Sequence, residues 1–244
     1  MIRYLLSSVF IMIATGCGDG QTTVSSNIPV YRVVRTEKPP VVDGVMTEEC
    51  WQDINPEIFL NNIDGGKVTP STTVRLIYDE LCLYIGFECQ DTNASGVRGS
   101  RDSEVREGDH VTVCLDPGGE GLISFCIEVS PEGTVADAVV LFKRDGSDSQ
   151  ILYDWNMPSL RSSATVYKSG VESVDNDRFW TVEMAIPFDE LYGFPAPNPG
   201  SGTSWRAGLY RVDYNDAVTY SALAPTGEPV LIRPSAYAVL AFGE

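Results

Sequence analysis

The segment of residues 180–191, WTVEMAIPFDEL, constrains the fold more than any other part of the chain. Its large apolar side chains recur at every second position: Trp180, Val182, Met184 and Ile186. This period of two predicts a β-strand with one buried face, because successive side chains of a strand point to opposite faces of a sheet. Pro187 has no backbone N–H, so we expect the strand to end there and to lead into a short helical turn.

The composition favours further strands of the same kind. The chain has 244 residues, of which 43% are hydrophobic, and this is enough for one sizeable core in a single domain. Its 22 glycines and 15 prolines cluster between short apolar runs, which is typical of strands and turns rather than of a helical bundle. We therefore expect an all-β fold, an antiparallel β-sandwich of jelly-roll or Greek-key type with about ten strands and only short helical turns.

The formal net charge of −17 limits the partners of the chain. Nucleic acids and anionic membrane surfaces are poor partners, because binding to phosphates needs dense Lys and Arg. The acidity either keeps the protein soluble or serves to bind divalent cations, which would require several carboxylates that converge on one point.

The first residues of the chain resemble an export signal. Arg3 supplies a positive charge, and residues 5–14 form an apolar run that is too short to span a bilayer. The run ends in Ala14-Thr15-Gly16-Cys17, which resembles the lipobox of bacterial lipoproteins. This resemblance implies cleavage before Cys17 and lipidation of that residue, and ordinary secretion is the alternative.

The leader sets the expected organisation of the chain. We expect a signal peptide at residues 1–16, a flexible tether at 17–29 and a β-sandwich domain at 30–244, because small polar residues follow the lipobox and apolar strands begin after them. The expected location is the bacterial cell envelope, where the lipid at Cys17 is the only membrane contact.

Export would place the remaining cysteines in an oxidising compartment, where disulfides form. A hairpin across residues 117–121 would bury its apolar side chains on one face if Val111 lies opposite Val129. The same register places Cys114 opposite Cys126 on the other face and predicts a disulfide between them. Two unpaired cysteines, in the core or at the surface, are the alternative.

Several short stretches, taken in order, resemble the family 9 carbohydrate-binding modules. The stretches are Val42-Asp43-Gly44 with Glu49-Cys50-Trp51, residues 74–79 with Leu83-Tyr84-Ile85, Gly108-Asp109-His110-Val111, residues 180–188, Trp205-Arg206 with Arg211, residues 221–226, Arg233-Pro234 and Leu240-Ala241-Phe242. The ordered set carries the resemblance, which covers residues 30–242. It implies a DOMON-like β-sandwich that binds sugar chain ends, is usually appended to secreted glycoside hydrolases and carries structural calcium.

The sequence departs from the sugar-binding members of this family at their sugar clamp. Those members hold a sugar ring between two Trp side chains, with a Glu nearby that accepts hydrogen bonds from hydroxyl groups. At the matching positions this chain has Arg106 and Leu223 in place of the two Trp, and Thr112 in place of the Glu. Either the ligand differs, or the site has moved, or the fold is kept without sugar binding.

The candidate carbohydrate-binding residues are Arg98, Arg106, Asp109, Trp155 and Tyr220. With Arg101, the two arginines would form a rim that grips an acidic sugar through paired hydrogen bonds, and charge balance with acids of residues 102–109 is the alternative role. Trp155 would stack on a sugar together with tyrosines of nearby loops, or it would pack at the edge of the core.

We expect a non-catalytic carbohydrate-binding domain associated with polysaccharide binding and carbohydrate catabolism. No catalytic residue is predicted, since the sequence has one histidine, His110, and no Gly-x-Ser-x-Gly motif. The expected ligand is an oligosaccharide or a polysaccharide, and the expected cofactor is structural calcium or none. The alternatives are a partner-docking domain that has lost sugar binding, a glycoside hydrolase and, more remotely, a haem-binding relative of this sandwich.

Overall fold

The computed structural model of the protein describes residues 28–145, 148–168, 177–191, 198–215 and 217–244. The predicted signal peptide, most of the predicted tether and the lipobox cysteine Cys17 lie outside the described residues. No helix in the described part of the chain is long and apolar enough to cross a membrane.

Strands make up most of the described chain. They are β1 (Val30–Arg35), β2 (Glu57–Ile58), β3 (Leu60–Asn61), β4 (Thr72–Tyr78), β5 (Cys82–Gln90), β6 (His110–Asp116), β7 (Ile123–Val129), β8 (Val135–Phe142), β9 (Ser149–Leu152), β10 (Arg161–Lys168), β11 (Asp177–Pro187), β12 (Ser204–Asp213), β13 (Thr219–Ala222) and β14 (Ala238–Gly243). The helical segments described are α1 (Glu49–Gln52) and the 3₁₀ turns Val105–Glu107, Phe188–Glu190 and Pro234–Ala236. The expectation of an all-β fold with only short helical turns is confirmed.

The fourteen described strands exceed the expected number, about ten for such a fold, because several of them are too short to show a period of two. β2 and β3 have two residues each, and β9 and β13 have four. Such strands are defined by the backbone hydrogen bonds they make to longer neighbours and not by their own sequence pattern.

The described strands form one mixed sheet in the order β10-β11-β5-β4-β1-β14-β12-β6-β7-β8-β9, with β2, β3 and β13 attached beside this path. Most neighbours are antiparallel, but β1 runs parallel to both β14 and β4. The expectation of a purely antiparallel sandwich is not met at this position. The alternation in the sequence of β1 identifies a strand but carries no information on the direction of its neighbours, which lie far away in the sequence.

The sheet curls so that its two halves pack around one large core. We call the surface that faces this core the inner face and the opposite surface the outer face. The four apolar side chains of β11 predicted on one face all lie on the inner face and are fully buried: Trp180, Val182, Met184 and Ile186. Pro187 is the last residue of β11 and a 3₁₀ turn follows it, as the sequence predicted.

The outer face of β11 and β5 is covered by residues 41–54. Glu183, on the outer face of β11, is fully buried in this contact. Its Oε1 accepts a hydrogen bond from Trp51 Nε1 at 2.7 Å. Its Oε2 accepts from the backbone N–H of Gly44 at 2.7 Å and of Asp43 at 3.1 Å. One carboxylate thus holds the covering segment onto the sheet through three donors.

Two glycines allow other parts of the chain to approach the outer face closely. A Cβ on Gly86 of β5 would lie 2.2 Å from Met46 Cε in the covering segment. A Cβ on Gly208 of β12 would lie 2.5 Å from the Tyr210 ring and 2.7 Å from the ring of Tyr237. At Gly86 the flexible end of Met46 would have to move, and at Gly208 two rings would have to move, so the outer face is a packed layer here as well.

The outer face of the other half of the sheet carries a disulfide between Cys114 of β6 and Cys126 of β7. The two strands pair with Val111 opposite Val129, which is the register expected from the sequence. Leu231 and Ile232 pack against the apolar cluster of the outer face that contains this disulfide.

Substitution of Glu183 with glutamine tests the role of this carboxylate. The amide group of glutamine carries N–H donors where the native side chain only accepts, so at least one of its three partners loses a hydrogen bond while it stays buried. We expect the free energy of unfolding, measured by urea denaturation, to fall by about 2 kcal/mol. Glu88→Gln on the same face of β5 is the control, since Glu88 is half-buried and bonds to Gln90. Equal stability of the two variants would contradict the assignment.

Candidate functional site

A charged pair stands at one end of the outer face formed by β13, β12, β6 and β7. Arg106 lies in the 3₁₀ turn Val105–Glu107 just before β6, and its Nε is 2.6 Å from Oε1 of Glu128 on β7. The Arg106 side chain is 36% exposed, whereas that of Glu128 is 8% exposed. Burial acts to lower the pKa of Arg106, but Glu128 and, more weakly, Tyr153 leave that pKa raised. The guanidinium therefore stays charged and partly open to solvent.

Two polar side chains of β6 lie beside this pair, and we call them the floor. Thr112 is directly opposite Glu128 in the β6–β7 ladder, and His110 is two residues away on the same face. His110 Nδ1 is 2.7 Å from the carbonyl oxygen of Gly108. Burial lowers the pKa of His110, although the Glu128 carboxylate acts in the opposite direction. The floor is therefore a polar but uncharged surface at neutral pH.

Two tyrosines lie near the charged pair, and a third lies near one of them on the same outer face. Tyr153 follows β9 and is 60% exposed, and Tyr214 follows β12 and is 40% exposed. The Tyr214 hydroxyl donates a hydrogen bond of 2.7 Å to the carbonyl oxygen of Arg106. Tyr220 of β13 lies on the same outer face, across β12 from His110. We call the set of Arg106, Glu128, Tyr153, Tyr214 and Tyr220 the tyrosine patch.

The three arginines considered for a binding rim each pair with a different carboxylate. The pairs are Arg98–Glu132, Arg101–Asp137 and Arg106–Glu128. Their partners lie on β7, on β8 and in the turn between these strands, and not among the acids of residues 102–109 that are adjacent in sequence. Asp137 is on the inner face, opposite Ile127, so Arg101 is directed away from the tyrosine patch. The structure therefore places only Arg106 of these three in the patch.

The other predicted site residues are divided between the patch and the interior. Tyr220 belongs to the patch, whereas Trp155 packs against the core with its ring centroid 5.4 Å from that of Phe125 on the inner face. Leu223, at a position of the family's sugar clamp, is 9% exposed and packs in the core. The structure thus places Arg106 and Tyr220 on the same outer face, and it places Trp155 against the core of the inner face.

Asp109 is buried and supports the patch from below. Its Oδ1 accepts a hydrogen bond from the backbone N–H of Tyr214 and its Oδ2 one from the N–H of Ser95, each at 2.6 Å. Burial raises the pKa of Asp109, and the two N–H donors act against this rise. Since Tyr214 bonds to Arg106, this carboxylate positions one wall of the patch.

Asp109 also belongs to a cluster of buried carboxylates with Asp91 and Asp213. One oxygen of each lies within 4.8 Å of the others. Arg211, which is 1% exposed, donates from Nη2 to Asp91 at 2.7 Å and approaches Asp213 at 3.2 Å. Three carboxylates against one guanidinium leave an excess of negative charge, and burial raises the pKa of Asp213 although Arg211 acts to lower it. This cluster ties the end of β5 to β12.

The donor set of the cluster fits a hard divalent cation. Carboxylate oxygens are the ligands that Ca²⁺ prefers, and two ligands on opposite sides of such an ion are about 5 Å apart. The oxygens of Asp109 each accept one backbone N–H, which leaves a second lone pair on each. Asp91, Asp109 and Asp213 are the residues that would hold the calcium expected from the sequence, and Asp91 and Asp213 would share their carboxylates between the ion and the Arg211 guanidinium.

A second opening on the outer face lies at the opposite end of β6. This groove has a volume of about 610 Å³ and is lined by Asp116, Phe142, Arg206 and Arg233, among others. Arg206 is fixed in it, because its Nε and Nη2 both donate to the carbonyl oxygen of Tyr237. The groove therefore offers a volume of the size that small ligands use, but Arg206 already donates to a backbone carbonyl oxygen there.

Sequence analysis missed Glu128, Asp91 and Asp213 as site residues. Glu128 lies within ISFCIEV, an otherwise apolar strand, and an acid in such a strand must be paired because burial of an unpaired charge is costly. This pattern was a usable signal. Asp91 directly follows β5, and Asp213 is the last residue of β12. No spacing in the sequence shows that the ends of these two strands meet.

Replacement of Arg211 with methionine tests the carboxylate cluster. Without the guanidinium, the pKa of Asp213 in the folded state rises further above its unfolded value, so the loss of stability is largest at neutral pH and shrinks as the pH falls through the raised pKa. We expect the free energy of unfolding to decrease by about 3 kcal/mol at neutral pH and by less in acid, measured by urea denaturation at both.

Arg98→Met is the matched control, because Arg98 is 82% exposed in its pair with Glu132. Its effect should stay within about 0.5 kcal/mol at either pH. A decrease in the free energy of unfolding of Arg211→Met that is the same at both pH values would contradict the electrostatic role of this arginine.

Comparisons with known proteins agree with this architecture. No family model matches the sequence, and no curated protein matches it. Among solved structures, a candidate carbohydrate-binding protein from Bacteroides uniformis has a TM-score of 0.70 at 12% identity, over 88% of this chain and 99% of that one.

Two further matches are structures of a carbohydrate-binding module of family 9 from Caldicellulosiruptor kristjanssonii. The complex with cellotriose has a TM-score of 0.60 at 15% identity, over 87% of this chain and 94% of that one. The complex with glucose has a TM-score of 0.58 at 14% identity, over 88% of this chain and 97% of that one. The resemblance found in the sequence is thus confirmed at the level of the fold: this chain has the fold of the family 9 carbohydrate-binding modules.

Proposed function

We propose that the protein is a non-catalytic carbohydrate-binding domain and that the tyrosine patch is its binding surface. The observation that carries this proposal is a partly exposed arginine–glutamate pair with two exposed tyrosines beside it and a third tyrosine on the same outer face. The fold supports the proposal, since solved structures with this fold are complexes with cellotriose and with glucose.

The chemistry of the patch suits a sugar. The C–H faces of a pyranose ring pack on aromatic rings, and Tyr153 and Tyr214 present such rings to solvent. Arg106 is a donor and Glu128 is an acceptor, so together they match hydroxyl groups, which both donate and accept hydrogen bonds. The patch would therefore replace the family's tryptophan clamp by two tyrosines that follow β9 and β12 and a third on β13.

We further propose that the domain is exported and tethered to the cell envelope through a lipid on Cys17. The apolar run of residues 5–14 followed by Ala14-Thr15-Gly16-Cys17 supports this. A role in carbohydrate catabolism would follow, because a tethered binding domain keeps polysaccharide close to the surface where it is degraded. Partner docking without sugar binding is the second candidate, and the position of Leu223 in the core favours it.

A glycan array tests the proposed function, followed by calorimetry with the glycan that is retained. Tyr153→Ala should weaken binding about tenfold, because it removes a stacking surface worth about 1 kcal/mol or more. Phe142→Ala in the groove at the other end of the face is the control and should leave affinity unchanged. Loss of binding in the control alone would move the site to the groove. Retention of no glycan, together with a protein that co-purifies, would favour docking.

We also propose that Asp91, Asp109 and Asp213 bind a structural calcium ion. An ion held only by the folded state stabilises it, so the melting temperature should be about 5 °C higher in calcium than in EGTA. Asp109→Asn should abolish this difference, whereas Asp148→Asn at an exposed ion pair with Lys143 should keep it. A melting temperature of the native protein that does not respond to EGTA would contradict the proposal.

A further inference from the structure

The floor of the tyrosine patch contains two buried polar atoms that the described part of the protein does not pair. These atoms are Nε2 of His110 and Oγ1 of Thr112, and neither has a hydrogen-bond partner among the described residues. His110 is 2% exposed and Thr112 is fully buried. A buried polar atom without a partner costs about as much as a lost hydrogen bond, so such atoms beside an exposed patch point to a ligand.

The tautomer of His110 defines what such a ligand must offer. The Gly108 carbonyl oxygen can only accept, so Nδ1 carries a proton. A second proton on Nε2 would leave a charged group buried without a partner, so the ring carries its one proton on Nδ1. Nε2 is then a lone-pair acceptor, and the nearby Glu128 carboxylate is an acceptor as well. A ligand group that meets both must donate hydrogen bonds. A hydroxyl group does this and can also accept from Arg106.

The charges around the floor disfavour an anionic ligand. The charge of Arg106 is balanced by Glu128 at 2.6 Å, and the other two arginines of the predicted rim are paired elsewhere. A carboxylate ligand would therefore face the Glu128 carboxylate and the lone pair of His110. It would also approach a chain whose net charge is −17. An uncharged ligand meets none of these repulsions.

Building on the proposed function, we infer that the tyrosine patch binds an uncharged sugar unit, one hydroxyl of which donates a hydrogen bond to His110 Nε2 while Thr112 Oγ1 contacts the same unit. His110 Nε2 and Thr112 Oγ1 are both shielded from solvent, so the side chains of the tyrosine patch must move apart for this hydroxyl to reach the floor. The specificity of the site therefore comes from His110 and Thr112, and Arg106 serves hydroxyl recognition and not the capture of an acidic sugar.

The test is an array that carries neutral oligosaccharides beside uronic-acid oligosaccharides, followed by calorimetry of the native protein and its variants. We expect retention of neutral glycans only. His110→Phe, which keeps the ring shape and removes Nε2, should lower affinity at least tenfold. His110→Gln places an amide oxygen near the same point and should restore most of it. Thr112→Val, which has nearly the shape of threonine, should lower affinity about fivefold.

Melting temperatures within a few degrees of the native protein would show that each variant is folded, and Thr112→Val stands in if His110→Phe does not fold. Neutral-glycan affinity that neither variant changes would overturn the inference and leave the proposed function intact. Tighter binding of uronic-acid glycans than of neutral ones would also overturn it. Retention of no glycan by the native protein would overturn both.

Discussion

The buried carboxylate of Glu183 holds together segments that are far apart in the sequence. Its partners, Trp51 and the backbone of residues 43 and 44, belong to a segment with almost no regular structure of its own. Such a segment stays in place only if its polar groups find partners, because their loss of water must be compensated. The same three hydrogen bonds compensate the burial of the carboxylate. They therefore link three separate stretches of the sequence, namely Asp43-Gly44, Trp51 and strand β11.

Burial of strands on both faces shapes the rest of the molecule. The outer face of the sheet is covered as well as the inner one. Residues 41–54 cover the outer face of one half, and residues 231 and 232 cover part of the other half. Beside Arg106 the outer face of the sheet carries the buried polar side chains His110 and Thr112, which belong to neither of these covered apolar clusters. The tyrosine patch therefore combines buried polar groups with exposed rings.

The sequence was sufficient for features that depend on local alternation. It predicted the inner face of β11, the end of that strand at Pro187 and the register of the β6–β7 hairpin, since each follows from a period of two and a turn. It was insufficient where the outcome depends on distant strands. Alternation does not encode the order of the strands. That order determines the parallel pairing of β1, and it also determines that Arg101 pairs with Asp137 of β8 and not with the acids near it in the sequence.

The position of β1 has a consequence for how the chain matures. The first described strand lies between β4 and β14, so the seam that joins the two halves of the sheet needs strands that are more than 200 residues apart in the sequence. During synthesis β1 is made before β4, and it gains β14 as its second neighbour only after every other described strand has been made. Contacts between such distant positions form slowly. The two halves of the sheet should therefore stay unjoined until β14 has been made, and the strands on either side of the seam keep unpaired edges in that interval.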